Sequence, residues 1–179
     1  MTGSTSIDQK LSALRREFDQ SFALPVADVE AATLDFLAIR VAGDPYAVSL
    51  SEIQSLHADC KLVVAPSLLP ELLGFSGFRS VLMPVYDLAQ LLGYRGGLSA
   101  RWLVVANSFA PIAFAFGDFD SHLRVTQERV SAPETDESKA AALGGAVQNA
   151  GVTLPLLHLP SLVEAIAQRI KAFGPAQGR

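Results

Sequence analysis

An internal repeat constrains this chain most. Trp102-Leu103-Val104-Val105 followed by Pro111-Ile112-Ala113-Phe114-Ala115-Phe116 mirrors Phe36-Leu37-Ala38-Ile39 followed by Pro45-Tyr46-Ala47-Val48-Ser49-Leu50, at an offset of 66 positions. Farther along, the segment from Val152 to Val163 mirrors that from Val81 to Leu92 at an offset of 71. Each copy is a series of short apolar runs rich in strand formers, separated by Gly and Pro turns, and so reads as a β unit. Two copies of one β unit suit a duplicated small barrel. Half of the 179 residues are apolar, which supplies material for a core.

Within the first copy, Phe36–Val41 and Tyr46–Leu50 are predicted strands, split by a turn at Gly43-Asp44-Pro45. Ile53–His57 and Lys61–Val64 are weaker strands, and Pro66–Leu73 reads as irregular or a single helical turn. Gly74 and Gly77 predict a turn, Val81–Tyr86 a strand, and Asp87 an N-cap for a short helix closed by Gly93. In the second copy, Ser131–Gly151 reads as an exposed acidic loop with a helical turn around Ser138–Leu143. Two helices are expected at the ends. Near the start, Ser6 and Gln9 resemble a capping box, and Ile7, Leu11, Leu14 and Phe18 form an apolar stripe before Pro25. That stripe fits a helix laid on its own domain or one offered to a partner protein. At the other end, Ser161 and Glu164 form a capping box ahead of an apolar face of Leu162, Ile166, Ile170 and Phe173. The expected organisation is an N-terminal helical extension over 1–30 and a domain over 31–173. That domain comprises a first barrel (about 34–100), a second (about 101–160) and a C-terminal helix (about 161–173).

Several function classes are disfavoured. The net charge of −4 argues against a nucleic-acid surface. The lone Cys60 excludes an internal disulfide and agrees with a reducing compartment. There is no secretory pattern, and no apolar run nears the roughly 18 residues of a membrane span, so a cytoplasmic location without membrane insertion is expected. His57 and Cys60 fall short of the four ligands of a structural zinc site. Gly74-Phe75-Ser76-Gly77 lacks nucleophile-elbow spacing, His122 and His158 have no acid partner with motif support, and Gly93–Gly97 is no phosphate loop. No enzyme, cofactor or metal follows from these residues.

Gly74, Arg79, Pro84, Val85, Asp87, Leu88, Leu92 and Gly93 fall in register on a known motif: a glycine, an apolar pair, Asn-Leu-Arg-Gly, a Pro-Val strand, then Asp-Leu opening a short helix. In this the chain resembles the CheW-like adaptors of bacterial chemosensory arrays, from about Leu34 to Ile170, as a divergent member. The motif Asn is Gly77, its Leu is Phe78 and its second glycine is Ser80. The family often places a glutamate, a partner for the motif arginine, at the position aligned with Ser55. In the second copy His158 stands at the place of Asp87. The resemblance implies a mainly β fold, a CheW-like tandem of two small five-stranded SH3-like barrels. It implies a non-enzymatic adaptor coupling the chemoreceptor signalling tip to the regulatory domain of a CheA-type histidine kinase. The alternative is a repurposed scaffold of a motility or polarity complex that does not bind the kinase, docked through the N-terminal helix.

Arg79 is the sharpest candidate for partner binding. Its guanidinium can make charge-assisted hydrogen bonds to a partner carboxylate or backbone, or bind carbonyls in its own turn. Phe75 and Phe78 are candidates for an exposed aromatic patch, against burial of at least one of them in the core. Ile7, Leu11, Leu14 and Phe18 are the further partner-binding candidates.

Overall fold

The apolar runs are resolved into eleven strands among the described residues, and most inner strands are apolar on both faces. A computed structural model describes residues 32–95, 100–132 and 142–173. The strands are β1 (Thr33–Val41), β2 (Asp44–Ser49), β3 (Ile53–Ala58), β4 (Leu72–Phe78), β5 (Val81–Asp87), β6 (Trp102–Ala106), β7 (Ala113–Phe116), β8 (Asp118–Thr126), β9 (Val130–Ser131), β10 (Leu143–Asn149) and β11 (Val152–Leu157). A one-turn helix α1 (Leu88–Leu91) follows β5, and a long helix α2 (Leu159–Phe173) follows β11. The predicted Ile7–Phe18 helix lies outside the described residues.

In place of two five-stranded barrels following one another along the chain, the strands pair as one sheet of six and one of five. Their orders are β8-β1-β2-β11-β10-β9 and β3-β6-β7-β5-β4. Each sheet mixes strands from both halves, so the sheets do not divide the chain near residue 100. The repeat itself is retained in the pairing. β5 runs parallel to β7 with Val85 opposite Ala113, and β11 runs parallel to β2 with Leu156 opposite Ala47. The duplicated units have exchanged their first two strands, and the two parallel pairs are the seams of that exchange.

The exchange explains the continuous apolar runs, because strands buried on both faces lose the usual polar alternation. In β1, Phe36 and Ala38 enter a small core with Leu123, Val125, Val147 and Leu154, on the inner side of the six-stranded sheet. The alternate residues Leu37, Ile39 and Val41 join a larger core with Phe114, Leu157 and Ile166. The five-stranded sheet has its own small core of Met83, Val85, Leu103, Val105, Ala113 and Ala115. Fully burying side chains such as Phe114 and Ile166 stabilises the fold by about 1.5–3 kcal/mol each.

The structure departs from the local sequence expectations in five places. The first turn is Ala42-Gly43, both at positive φ, and Pro45 lies inside β2. Lys61–Val64 forms only an isolated bridge, Val63 to Phe75. Gly74 and Gly77 lie inside β4 rather than in a turn. Within Ser131–Gly151, residues Leu143–Asn149 are strand β10 rather than loop or helix. Helix α2 begins at Leu159, ahead of the Ser161–Glu164 box, and Ser161 N–H donates to Nδ1 of His158 at 3.3 Å. In α2, Leu159, Leu162 and Ile166 are buried while Ile170 is exposed.

Gly74 and Gly145 show why two glycines survive inside strands. Both sit at a β-bulge with positive φ, +146° and +127°. A Cβ on Gly74 would run into the Val63 carbonyl oxygen, and one on Gly145 into that of Ser131. At each place a neighbouring segment approaches the strand too closely for any side chain.

Candidate functional site

The hairpin of β4 and β5 is closed by two residues, Arg79 and Ser80, at φ 45° and 68°. Positive φ at both central positions is the signature of a type I′ turn, whose twist matches the flanking strands. Neither residue is Asn or Gly, so this turn is held in a region L side chains disfavour. Its effect is to place Arg79, exposed, at the end of the hairpin.

Arg79 stands at the rim of a cleft of about 330 Å³ in the five-stranded sheet. One wall is β3, the outermost strand, which contributes Gln54, Ser55 and His57. The opposite wall is the hairpin, through Phe78, Arg79 and Val81. The loop after β6 supplies Ser108 and Phe109, and Phe109 is fully exposed. The sheet curls enough to bring its two outer strands together here. The rings of His57 on β3 and Phe78 on β4 lie 4.1 Å apart between centroids, tilted by 37°. His57 Nε2 is hydrogen-bonded to Ser55 Oγ at 2.9 Å.

Arg79 is exposed, and among the described residues it has neither a carboxylate partner nor a hydrogen bond to a carbonyl of its own turn. Ser55 does face the same cleft. Phe75 and Phe78 do not form a single patch. Three residues apart on one strand, they point to opposite faces. Phe78 packs beside the small core of its own sheet, whereas Phe75 pairs with Val63 on one side and Pro84 on the other. Nearby on the chain, Val63, Val64, Leu68 and Leu82 are exposed apolar residues. Ile7, Leu11, Leu14 and Phe18 lie outside the described residues. Sequence reasoning does not single out Phe109, although a phenylalanine within the turn-like stretch Asn107-Ser108-Phe109-Ala110-Pro111 is a readable signal.

The hairpin's base is fixed from two directions. Asp87 caps α1 by accepting from Ala89 N–H at 2.9 Å, and Gln90 Nε2 reaches back to it at 3.2 Å. Asp87 N–H in turn donates to the Glu71 carbonyl at 2.8 Å. The Glu71 carboxylate is buried and accepts from Arg169 Nη1 at 2.6 Å, tying α2 to this corner. Below β3, Glu52 links the cleft wall to the other helix end. Its carbonyl accepts from Asn107 N–H at 2.7 Å and its Oε2 from Leu159 N–H at 2.8 Å. Burial pushes the Glu52 carboxyl upward, opposed by the Leu159 hydrogen bond and then by His158. On the outer face of the six-stranded sheet, Arg124 hydrogen bonds hold Asp35 below its usual range.

Among the described residues, nothing in the cleft pairs a nucleophile with a base and an oriented third group. What it offers is a cation, aromatic surface and a sheet edge, which are means of binding. The CheW-like domain family matches residues 35–167, a span that takes in both sheets and most of α2.

The chain belongs to the CheW-like family.

No curated protein matches it by sequence. Among solved structures it is similar to the scaffolding protein TtCheW from Thermoanaerobacter tengcongensis, at a TM-score of 0.68 and 14% identity. The match covers 74% of this chain and 94% of that one, so the CheW-like fold is retained where little sequence is shared. Among the described residues, no helix of this CheW-like chain is long and apolar enough to cross a membrane.

Proposed function

We propose that this chain is a non-enzymatic adaptor of a chemosensory pathway, coupling chemoreceptors to a CheA-type histidine kinase through protein–protein contacts in the cytoplasm. The observation that carries this reading is the CheW-like domain extending through both sheets. Arg79, at the exposed tip of a hairpin and lining one cleft with the exposed Phe109, supports a binding role for the five-stranded sheet. A leading extension over 1–30, with its stripe of Ile7, Leu11, Leu14 and Phe18, adds a handle for a further motility protein. Calorimetric titration with the regulatory domain of the chemotaxis-type kinase from the same genome tests the reading. Micromolar binding, about −8 kcal/mol, is expected. No heat, and no complex on a sizing column, would overturn it.

The second reading is a repurposed CheW-like scaffold that does not bind the kinase. It is favoured by one observation: Ser55 and Arg79 share the cleft, and no carboxylate pairs with that arginine among the described residues. Failure of kinase binding, with capture of a different motility protein that depends on residues 1–30, is its expected signature.

A further inference from the structure

We propose that the cleft between β3 and the β4–β5 hairpin receives an extended segment of a partner protein bearing a carboxylate side chain between apolar ones. Charge argues for the carboxylate. The chain as a whole is acidic, at −4, yet among the described residues no Asp or Glu lines this cleft, and Arg79 stands at its rim. An exposed arginine beside a partly apolar cleft discriminates between an acidic and an amide side chain, because a charge-assisted hydrogen bond is stronger than a neutral one. The apolar neighbours argue for the flanking residues. Val81 is exposed and Phe109 fully so, while Met83 and Val105 form the floor.

Sheet geometry argues for the extended conformation. β3 ends the strand order on its side, so among the described residues its outer backbone groups have no ladder partner within the sheet. An unpaired edge bonds an added strand through its main chain, and alternate side chains then fall into the adjoining pockets. At the other edge β4 is already covered, since Val63 and Phe75 exchange both backbone hydrogen bonds, at 2.8 and 2.9 Å. Of the two edges, β3 is the one open to a guest. The His57–Phe78 contact closes the cleft behind it.

This inference rests on the adaptor reading only in taking the guest to be a protein. The test is an amide-resolved NMR titration of the full chain with two peptides, acetyl-Thr-Val-Thr-Glu-Thr-Val-Thr-amide, whose Val, Glu and Val side chains share one face of an extended strand, and its counterpart with Gln for Glu. The amides of Ser55, His57, Phe78, Arg79 and Val81 are expected to shift and saturate with the Glu peptide. The Gln peptide is expected to bind about tenfold more weakly. Arg79→Gln, on an exposed turn, should abolish that difference. Equal affinity of the wild type for both peptides, shifts confined to other surfaces, or no shift at millimolar peptide would each overturn the proposal. The peptide pair is compared on the wild-type protein, so the outcome does not depend on a variant folding. If the peptide behaves as expected while the kinase domain does not bind, the adaptor reading falls and the cleft stands. If the kinase domain binds the wild type and Arg79→Gln alike and the peptides ignore the cleft, the reverse holds.

Discussion

The two hairpins related by the repeat differ most at their tips. Arg79-Ser80 closes β4–β5, and Ala150-Gly151 closes β10–β11. The backbone is nearly the same, with φ of 45° and 68° in the first and 47° and 83° in the second. The second tip meets the demand for positive φ with an alanine followed by a glycine. The other meets it with serine and places an arginine beside it. Behind the tips, where one sheet has the Phe78–His57 pair, the repeat offsets place Asn149 and the buried Leu123 in the other. The second tip borders a cleft of its own, about 550 Å³ and mainly polar, lined by Arg129, Gln148, Ala150, Gly151 and Thr153. The first borders a mainly apolar cleft, carries its cation on the turn itself and has two non-glycine residues at positive φ, so the two copies are alike in pairing and unlike in surface.

The comparison can be broken first at the paired bulges. Gly74→Ala and Gly145→Ala should each destabilise by about 3 kcal/mol, because the new methyl meets a backbone carbonyl and the φ is unfavourable. Denaturant unfolding would measure this, and a loss confined to one variant would show that the bulges are not equivalent. Next come the helix caps. Asp87→Ala should cost about 1 kcal/mol, while His158→Ala should cost less, since Glu52 still accepts from Leu159 N–H. The same unfolding curves separate the two.

The tips give a smaller, reciprocal effect. Ser80→Gly should stabilise by about 1 kcal/mol and Gly151→Ser should destabilise by about as much, as read by thermal unfolding. Equal and opposite shifts would show that the turns are interchangeable. The smallest effect is in the pH dependence around α2. The Glu52 carboxyl is raised in the folded state above its ordinary 4.5, chiefly by burial. Its contribution to stability is therefore full below that value and declines as pH rises through the raised one. Glu52→Gln removes this decline, so its stability relative to the wild type should improve between pH 4 and pH 7. Unfolding midpoints of the two proteins across that range measure it, and a constant gap between them would refute it.

Much of the fold was legible because its signals are local. The cap at Asp87 depends on side chain and neighbouring backbone alone, and β1, β2, β5, β6 and β7 are apolar runs bounded by turns. Strand β8 was harder to see, although Leu123 and Val125 alternate with His122 and Arg124. Its charges give it the look of a connection. β10 is hidden by Gly144-Gly145, which reads as loop until the approach of β9 explains the second glycine. Gly74 and Gly77 suggest a turn inside β4 for the same reason. The exchange of strands between copies was not legible, since similarity identifies what is repeated and not what pairs with what. Of the site, Arg79 and Phe78 were legible through the motif. The separation of Phe75 from Phe78 needed strand parity, and Phe109 needed the fold that brings its loop to β3.

The exchanged strands also set an order of events during synthesis. By the time Phe116 has left the ribosome, every strand of the five-stranded sheet is available. β1 and β2 must still wait for β8 and β11, their outer neighbours in the other sheet. Until then this early hairpin exposes two apolar faces and two unpaired edges. A second nascent chain at the same stage carries the complementary strands soon afterward. The route to a correct monomer and the route to a pair of chains trading hairpins diverge at that moment, and the speed with which β8–β11 follow decides between them.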